Sequence, residues 1–188
     1  MYISREIIGQ LIEQYGQPQR AEFRIPVGMK EFDRIKASQK NDRAHDVTLY
    51  IIKDNKIVVI AKHFYPPGMY RAPSGGIASG ESFIDGAKRE AREETGCEIE
   101  LDKFLLISKV AFELVPLDGR SINWISYVFQ AKYVSGDFDF TDKKEIKETR
   151  LADISEFEEF SQIMRNQPIG GLHYRAALHD TVKNLLQL

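Results

Sequence analysis

Glu90, Glu93 and Glu94 fall at spacings i, i+3 and i+4. On a helix of 3.6 residues per turn that spacing puts three carboxylates on one face. Like charges so close repel, and a helix carrying them needs positive charge among them. Oxygen ligands that leave coordination positions open suit Mg²⁺ or Mn²⁺, which keep waters and take phosphate oxygens as further ligands. Just ahead runs Gly75-Gly76-Ile77-Ala78-Ser79-Gly80-Glu81. Its glycines allow a sharp turn and a close backbone approach to a ligand. Arg89 lies one turn before Glu93 and is placed to pair with it, holding the like charges apart. The segment therefore predicts a divalent-metal site for a phosphate-bearing substrate. On a helical wheel Phe83, Ile84, Ala87 and Ala91 form an apolar stripe, with the three glutamates along its border. That border is the rim of a core, where attraction between a cation and carboxylates is stronger than in bulk water.

These residues resemble the signature of the Nudix hydrolase family, G-x5-E-x7-R-E-U-x-E-E-x-G-U, where U is usually Ile, Leu or Val. Gly75, Glu81, Arg89, Glu90, Glu93, Glu94 and Gly96 fill all seven fixed positions without a gap. At average residue frequencies, such a match at a given start arises by chance roughly a few times in 10⁹, so the pattern is specific. The two U positions depart from the pattern, with Ala91 and Cys97 in place of bulkier residues. The resemblance implies an α/β/α sandwich with a mixed β-sheet and hydrolysis of a diphosphate bridge. It implies Glu90 and Glu94 as metal ligands, with Glu93 as a third ligand or a catalytic group. Arg89 then orients the cluster, Glu81 supports it and the backbone carbonyl of Ser74 completes it. Gly96 is expected to close the helix as a C-cap.

In this family the base that accepts the proton of the attacking water is a signature glutamate or a glutamate from a later loop. Asp142, Glu145 and Glu148 follow the second long β-rich run, and Glu145 is the expected base. The run from His63 to Gly75 resembles the segment before the signature in ADP-ribose pyrophosphatases, although Arg71 stands where those proteins carry glutamate. Phe64, Tyr65 and Tyr70 are candidates to stack on a base, and Arg71 to bind phosphate. The expected substrate is a nucleoside diphosphate linked to another moiety, of the ADP-ribose or nucleotide-sugar type. Two alternatives stand beside it: nucleoside triphosphates, dinucleoside polyphosphates or capped RNA as substrates, and a non-catalytic Nudix module that binds a nucleotide and regulates a partner.

The elements that must position these groups are legible in outline. Ser4 is placed to cap a helix through about Gln14, ended by Gly16 and Pro18. Residues 20–26 predict a short strand and Met29–Ser38 a second helix. The polar stretch 39–46 marks a boundary between an N-terminal extension, residues 1–45, and the hydrolase domain, residues 46–188. Val47–Lys53 and Lys56–His63 predict strands around Asp54-Asn55. Leu101–Leu114 and Ser121–Tyr133 predict a hairpin turning at Pro116-Leu117-Asp118-Gly119. A strand over 145–151 and helices over 155–166 and from Tyr174 onward complete the pattern, which fits an α/β fold.

Composition narrows the partners. With 188 residues, 43% hydrophobic, the chain can bury one good core. A net charge of −2 without a basic run predicts no nucleic-acid partner. No apolar run approaches the ~20 residues of a membrane span, and the start does not read as a signal peptide. The single Cys97 fits a reducing cytoplasm. His45, His63, His173 and His179 lack metal-ligand spacing and are expected to be structural. Trp124 is expected on a sheet face. The N-terminal segment predicts a cover for a sheet edge or a contribution to a homodimer.

Overall fold

The computed structural model describes residues 3–39, 43–116 and 119–186. Seven strands and five helices follow one another as α1 (Arg5–Tyr15), β1 (Gln19–Val27), α2 (Met29–Ser38), β2 (His45–Lys53), β3 (Lys56–Lys62), β4 (Ser74–Gly75), α3 (Phe83–Thr95), β5 (Cys97–Leu114), β6 (Ser121–Gly136), β7 (Ile146–Ala152), α4 (Glu156–Arg165) and α5 (Gly170–Val182). The strands form one mixed sheet in the order β1-β5-β6-β2-β3-β7, with β4 paired to β2. β1 runs parallel to β5, and β2 parallel to β6, while the other pairs are antiparallel.

The sheet is covered on both faces, so its strands are apolar on both sides. On β6, Tyr127, Phe129 and Ala131 face one core, which α1 and α3 close with Leu11, Phe83, Ala87 and Ala91. Val128 and Ile122 face the other core, which α2, α4 and α5 close with Phe32, Phe157, Phe160 and Leu178. This is the expected α/β/α sandwich. Ala91 and Cys97, the two departures from the bulky signature positions, are both fully buried.

The N-terminal segment belongs to the same body: β1 pairs with β5 along its whole length, from Gln19–Leu106 to Val27–Leu114. Asp54 and Asn55 take positive φ angles of 52° and 60°, the conformation a tight two-residue hairpin turn needs. The turn between β5 and β6 passes through residues 117 and 118, which lie outside the described residues. Three boundaries differ from the periodicity. β5 begins at Cys97, four residues earlier than expected, and carries register shifts near Ile99, Lys103 and Leu106 that break its alternation. β6 runs on to Gly136 to pair with that early start. α5 begins at Gly170 because Glu31 of α2 accepts hydrogen bonds from the Gly170 and Gly171 backbone amides at 3.0 and 2.7 Å. That carboxylate satisfies two free N–H groups of the helix N-terminus, a cap no local pattern reveals.

Candidate active site

α3 carries the glutamates, and its ends are well defined. Ser82 is the N-cap: its hydroxyl accepts from the Asp85 amide at 3.1 Å and donates to the Asp85 carboxylate at 2.6 Å. Gly96 closes the helix in the left-handed region with φ 70°. Glu81 therefore lies just outside the helix, ahead of the N-cap. Its carboxylate accepts from the Ala78 amide at 3.0 Å and from Arg89 Nε and Nη2 at 2.9 and 3.0 Å. Those donors hold its carboxyl below the usual range, the Arg89 hydrogen bond first.

Arg89 is the hub of the cluster. Beyond Glu81 it donates to Glu90 Oε1 at 2.9 Å, to Glu93 Oε2 at 3.1 Å and to the Gly76 carbonyl at 2.9 Å. One guanidinium thus ties the glycine loop to three carboxylates. Gly75 lies so close to Glu90 that a Cβ there would come within 1.8 Å of Glu90 Oε2. Only a residue without a side chain lets the carboxylate sit against this loop.

Glu94 is held differently. It is buried, and Arg71, only 4% exposed, donates to its Oε1 at 3.2 Å. The Ser74 amide donates to Oε2 at 2.7 Å. Arg71 also donates to the Tyr65 hydroxyl, the Ser74 hydroxyl and the Ala72 carbonyl. Its guanidinium is thus fixed from within the protein. Arg71 stands where the ADP-ribose pyrophosphatase pattern has glutamate, and here it neutralises a signature carboxylate.

A cavity of about 430 Å³ brings most of these groups together. Ser74, Glu90, Glu93 and Glu94 line it, as do Arg71, Asp142 and Glu145. Asp142 is placed by its amide, which donates to the Glu93 carbonyl at 2.9 Å. Asp142 Oδ1 accepts from the Glu145 amide at 3.2 Å. Glu145 is ion-paired with Lys62, whose hydrogen bond and then charge hold its carboxyl below the usual range. Tyr70 and Phe64 do not line this cavity. The Tyr70 hydroxyl donates to Glu148, and its ring packs on Phe160 and under the Arg150 guanidinium, 4.1 Å from the ring centre. Phe64 is 66% exposed and lines a neighbouring cavity with Tyr65.

The donor set fits a hard divalent cation. The cavity lining has six carboxyl side chains against four cationic ones, and every candidate ligand is oxygen. Burial holds the Glu90 carboxyl above its usual range; Arg89 opposes this, and Glu94 and Glu93 add to it. A buried carboxylate that is incompletely neutralised is relieved by a cation. Among the described residues no three His, Cys, Asp or Glu side chains are grouped so as to hold a metal ion by themselves.

Four charged cavity residues escape a reading of the sequence: Arg43, Asp46, Lys62 and Arg175. Asp46 and Arg175 pair at 2.7 Å across 129 residues of chain, a distance no local pattern signals. Trp124, expected on a sheet face, is on β6 and lines the cavity as well.

A mixed sheet thus lies between helical layers, and a glycine loop feeds a carboxylate-bearing helix over a polar cavity. Residues 42–169 match the NUDIX domain, and the chain belongs to that family. It is 35% identical over 60 residues to Nudix hydrolase 2 of Arabidopsis thaliana, a match covering 30% of this chain and 22% of that protein. The crystal structure of a NUDIX hydrolase from Nitrosomonas europaea aligns with a TM-score of 0.50 and 22% identity, covering 74% of this chain and 67% of the other. A NUDIX-family hydrolase from Clostridium perfringens aligns with a TM-score of 0.50 and 16% identity, covering 77% and 99%. No helix among the described residues is long and apolar enough to cross a membrane.

Proposed function

We propose that this protein is a Mg²⁺- or Mn²⁺-dependent hydrolase that cleaves the diphosphate bridge of a nucleoside diphosphate linked to another moiety, of the ADP-ribose or nucleotide-sugar type. One observation carries the proposal: Glu90, Glu93, Glu94 and Ser74 line the same cavity as Asp142 and Glu145. Glu90 and Glu94, with Glu93 and the Ser74 backbone, would hold the cation. When bound, it would neutralise charge on the phosphate oxygens and acidify a water. Arg89 sets the rotamers of Glu90 and Glu93, and Arg71 that of Glu94. Glu145, ionised beside Lys62, would take the proton of the attacking water. Lys62 and Arg43 in the lining would offset the charge of the diphosphate.

The test is product release from ADP-ribose, nucleotide sugars, nucleoside triphosphates, dinucleoside polyphosphates and capped RNA, with Mg²⁺, Mn²⁺ or EDTA. Metal-dependent turnover of the first two, suppressed by EDTA, is expected. Glu90→Gln is the variant of choice, because it removes a charge that is already unfavourable where it sits. It should keep its fold and lose at least about 10²-fold in kcat. Glu145→Gln should lose about 10²–10⁴-fold, the usual contribution of a positioned base. Tight nucleotide binding with no turnover of any substrate would instead support a regulatory module. We also propose that the chain forms a homodimer through its N-terminal segment, since β1 is an outer strand of the sheet with one side open to pairing. A monomer mass by sedimentation would rule this out.

A further inference from the structure

Asp46 is 6% exposed, and only one of its oxygens is accounted for. Oδ2 accepts from Arg175 Nη2 at 2.7 Å, and Arg175 Nη1 donates to the Thr48 hydroxyl at 2.9 Å. This fork fixes the carboxylate in orientation. Oδ1 is buried and, among the described residues, has no hydrogen-bond partner. An ion pair that only tied α5 to β2 would explain Oδ2. It leaves unexplained why a charged oxygen is buried without a donor, which proteins rarely tolerate.

The surroundings indicate what that oxygen is for. Asp46 lies one residue beyond the Val47–Gly75 pair of β2 and β4, and so beside the glycine loop of the active site. It lines the active-site cavity together with Trp124 and Arg175. The same three residues line a smaller chamber of about 140 Å³, whose other walls include Ile35, Phe112 and Tyr174. The chamber thus adjoins the proposed diphosphate site; Ile35, Phe112, Trp124 and Tyr174 give it apolar and aromatic walls, and Ser38, Asp46 and Arg175 are its polar side chains. Arg43, whose guanidinium is 5.9 Å from the Trp124 ring centre, lines the larger cavity at the junction.

We propose that this chamber takes the nucleoside half of the substrate, and that Asp46 Oδ1 accepts a hydrogen bond from an N–H or O–H group on it. Trp124 supplies the flat apolar face, and Asp46 selects ligands that carry a donor. Arg175 is a positioning residue, acting through Asp46. The proposal rests on the reading of the site as a nucleotide-processing one, but its test does not depend on turnover.

The experiment is calorimetric binding of nucleoside monophosphates to the full chain. AMP, GMP, CMP and UMP identify the preferred base, and its 2′-deoxy, 3′-deoxy and deaminated analogues follow. Wild-type protein should bind the analogue lacking the recognised donor at least tenfold more weakly. Loss with a deoxy analogue assigns a ribose hydroxyl, and loss with the deaminated analogue assigns a base amine. In Asp46→Asn, which can turn an amide donor toward the ligand, that discrimination should disappear. Asp46→Glu, which keeps the charge but moves the oxygen, guards against misfolding of the first variant and should also lose it. Equal discrimination in wild-type and variant proteins overturns the proposal, as does failure of every monophosphate to bind wild-type protein. Binding with discrimination but no metal-dependent turnover of any substrate would leave the chamber assigned and refute the hydrolase reading.

Discussion

The signature glutamates share a helix face but have unequal environments, and this unequal burial predicts unequal consequences. Glu94 is the counter-charge of a guanidinium that is 4% exposed. Glu94→Gln strands that charge and should cost about 3–5 kcal/mol of stability. The Glu93 side chain, 44% exposed, is ion-paired with the partly exposed Arg89. Glu93→Gln should cost less than about 1 kcal/mol. Urea unfolding of both variants checks the contrast, and similar midpoints would show that the Arg71–Glu94 pair is not buried as described. Two histidines make a second prediction. Burial lowers the pKa of His45 to about 4 and that of His179 to about 3. Both are therefore neutral in the fold, while the unfolded chain takes up protons below about pH 6.5. Stability should be full above pH 6.5 and fall as the pH drops toward 4, by up to about 1.4 kcal/mol per pH unit for each histidine. His179 Nδ1 is buried beside Tyr50 and Phe157 and, among the described residues, has no hydrogen-bond partner. His179→Leu should flatten the acid limb of a stability–pH curve, and an unchanged slope would refute the assignment.

At the level of elements, α3 works because both of its ends are constrained. Ser82 with Asp85 fixes the start, so the glutamates face the cavity in one register. Gly96 fixes the end, and a Cβ there would lie 2.7 Å from backbone atoms of Asp139. The loop that brings Asp142 and Glu145 to the cavity is thus packed against the helix C-cap and hydrogen-bonded to the Glu93 carbonyl. Gly96→Ala should lose about 1–2 kcal/mol from its left-handed backbone alone. Relieving the clash with Asp139 should also displace that loop and lower activity beyond the loss in stability. Thermal melting beside kinetics at a temperature well below the transition separates the two effects. Activity that tracked stability alone would show that the loop does not depend on the helix end.

For the whole molecule, the N-terminal segment is structural. Leu11 is in one core, and Val27 and Phe32 are in the other. β1 hydrogen-bonds to β5, and Glu31 caps α5. A chain starting at Asp46 should therefore expose the β5 edge and aggregate or unfold, as judged by circular dichroism and gel filtration. A folded truncated chain would mean that residues 1–45 are dispensable for the sandwich.

The carboxylate cluster of the candidate site was legible because α3 is local: seven signature positions lie within 22 residues, and helix geometry alone puts the glutamates on one face. Both layers of helices and most strand limits were also legible, since apolar periodicity records which side of each element is buried. The early start of β5 was hidden by its register shifts, because bulges break the alternation that marks a strand. Arg71 shows the limit at single-residue scale: its type suggested phosphate binding, whereas its burial ties it to Glu94. The pairing of Asp46 with Arg175, and the chamber they share with Trp124, came only from the tertiary structure. Those residues lie on β2, α5 and β6, and sheet order and helix docking bring them together; such contacts leave no periodic trace in any one segment of chain.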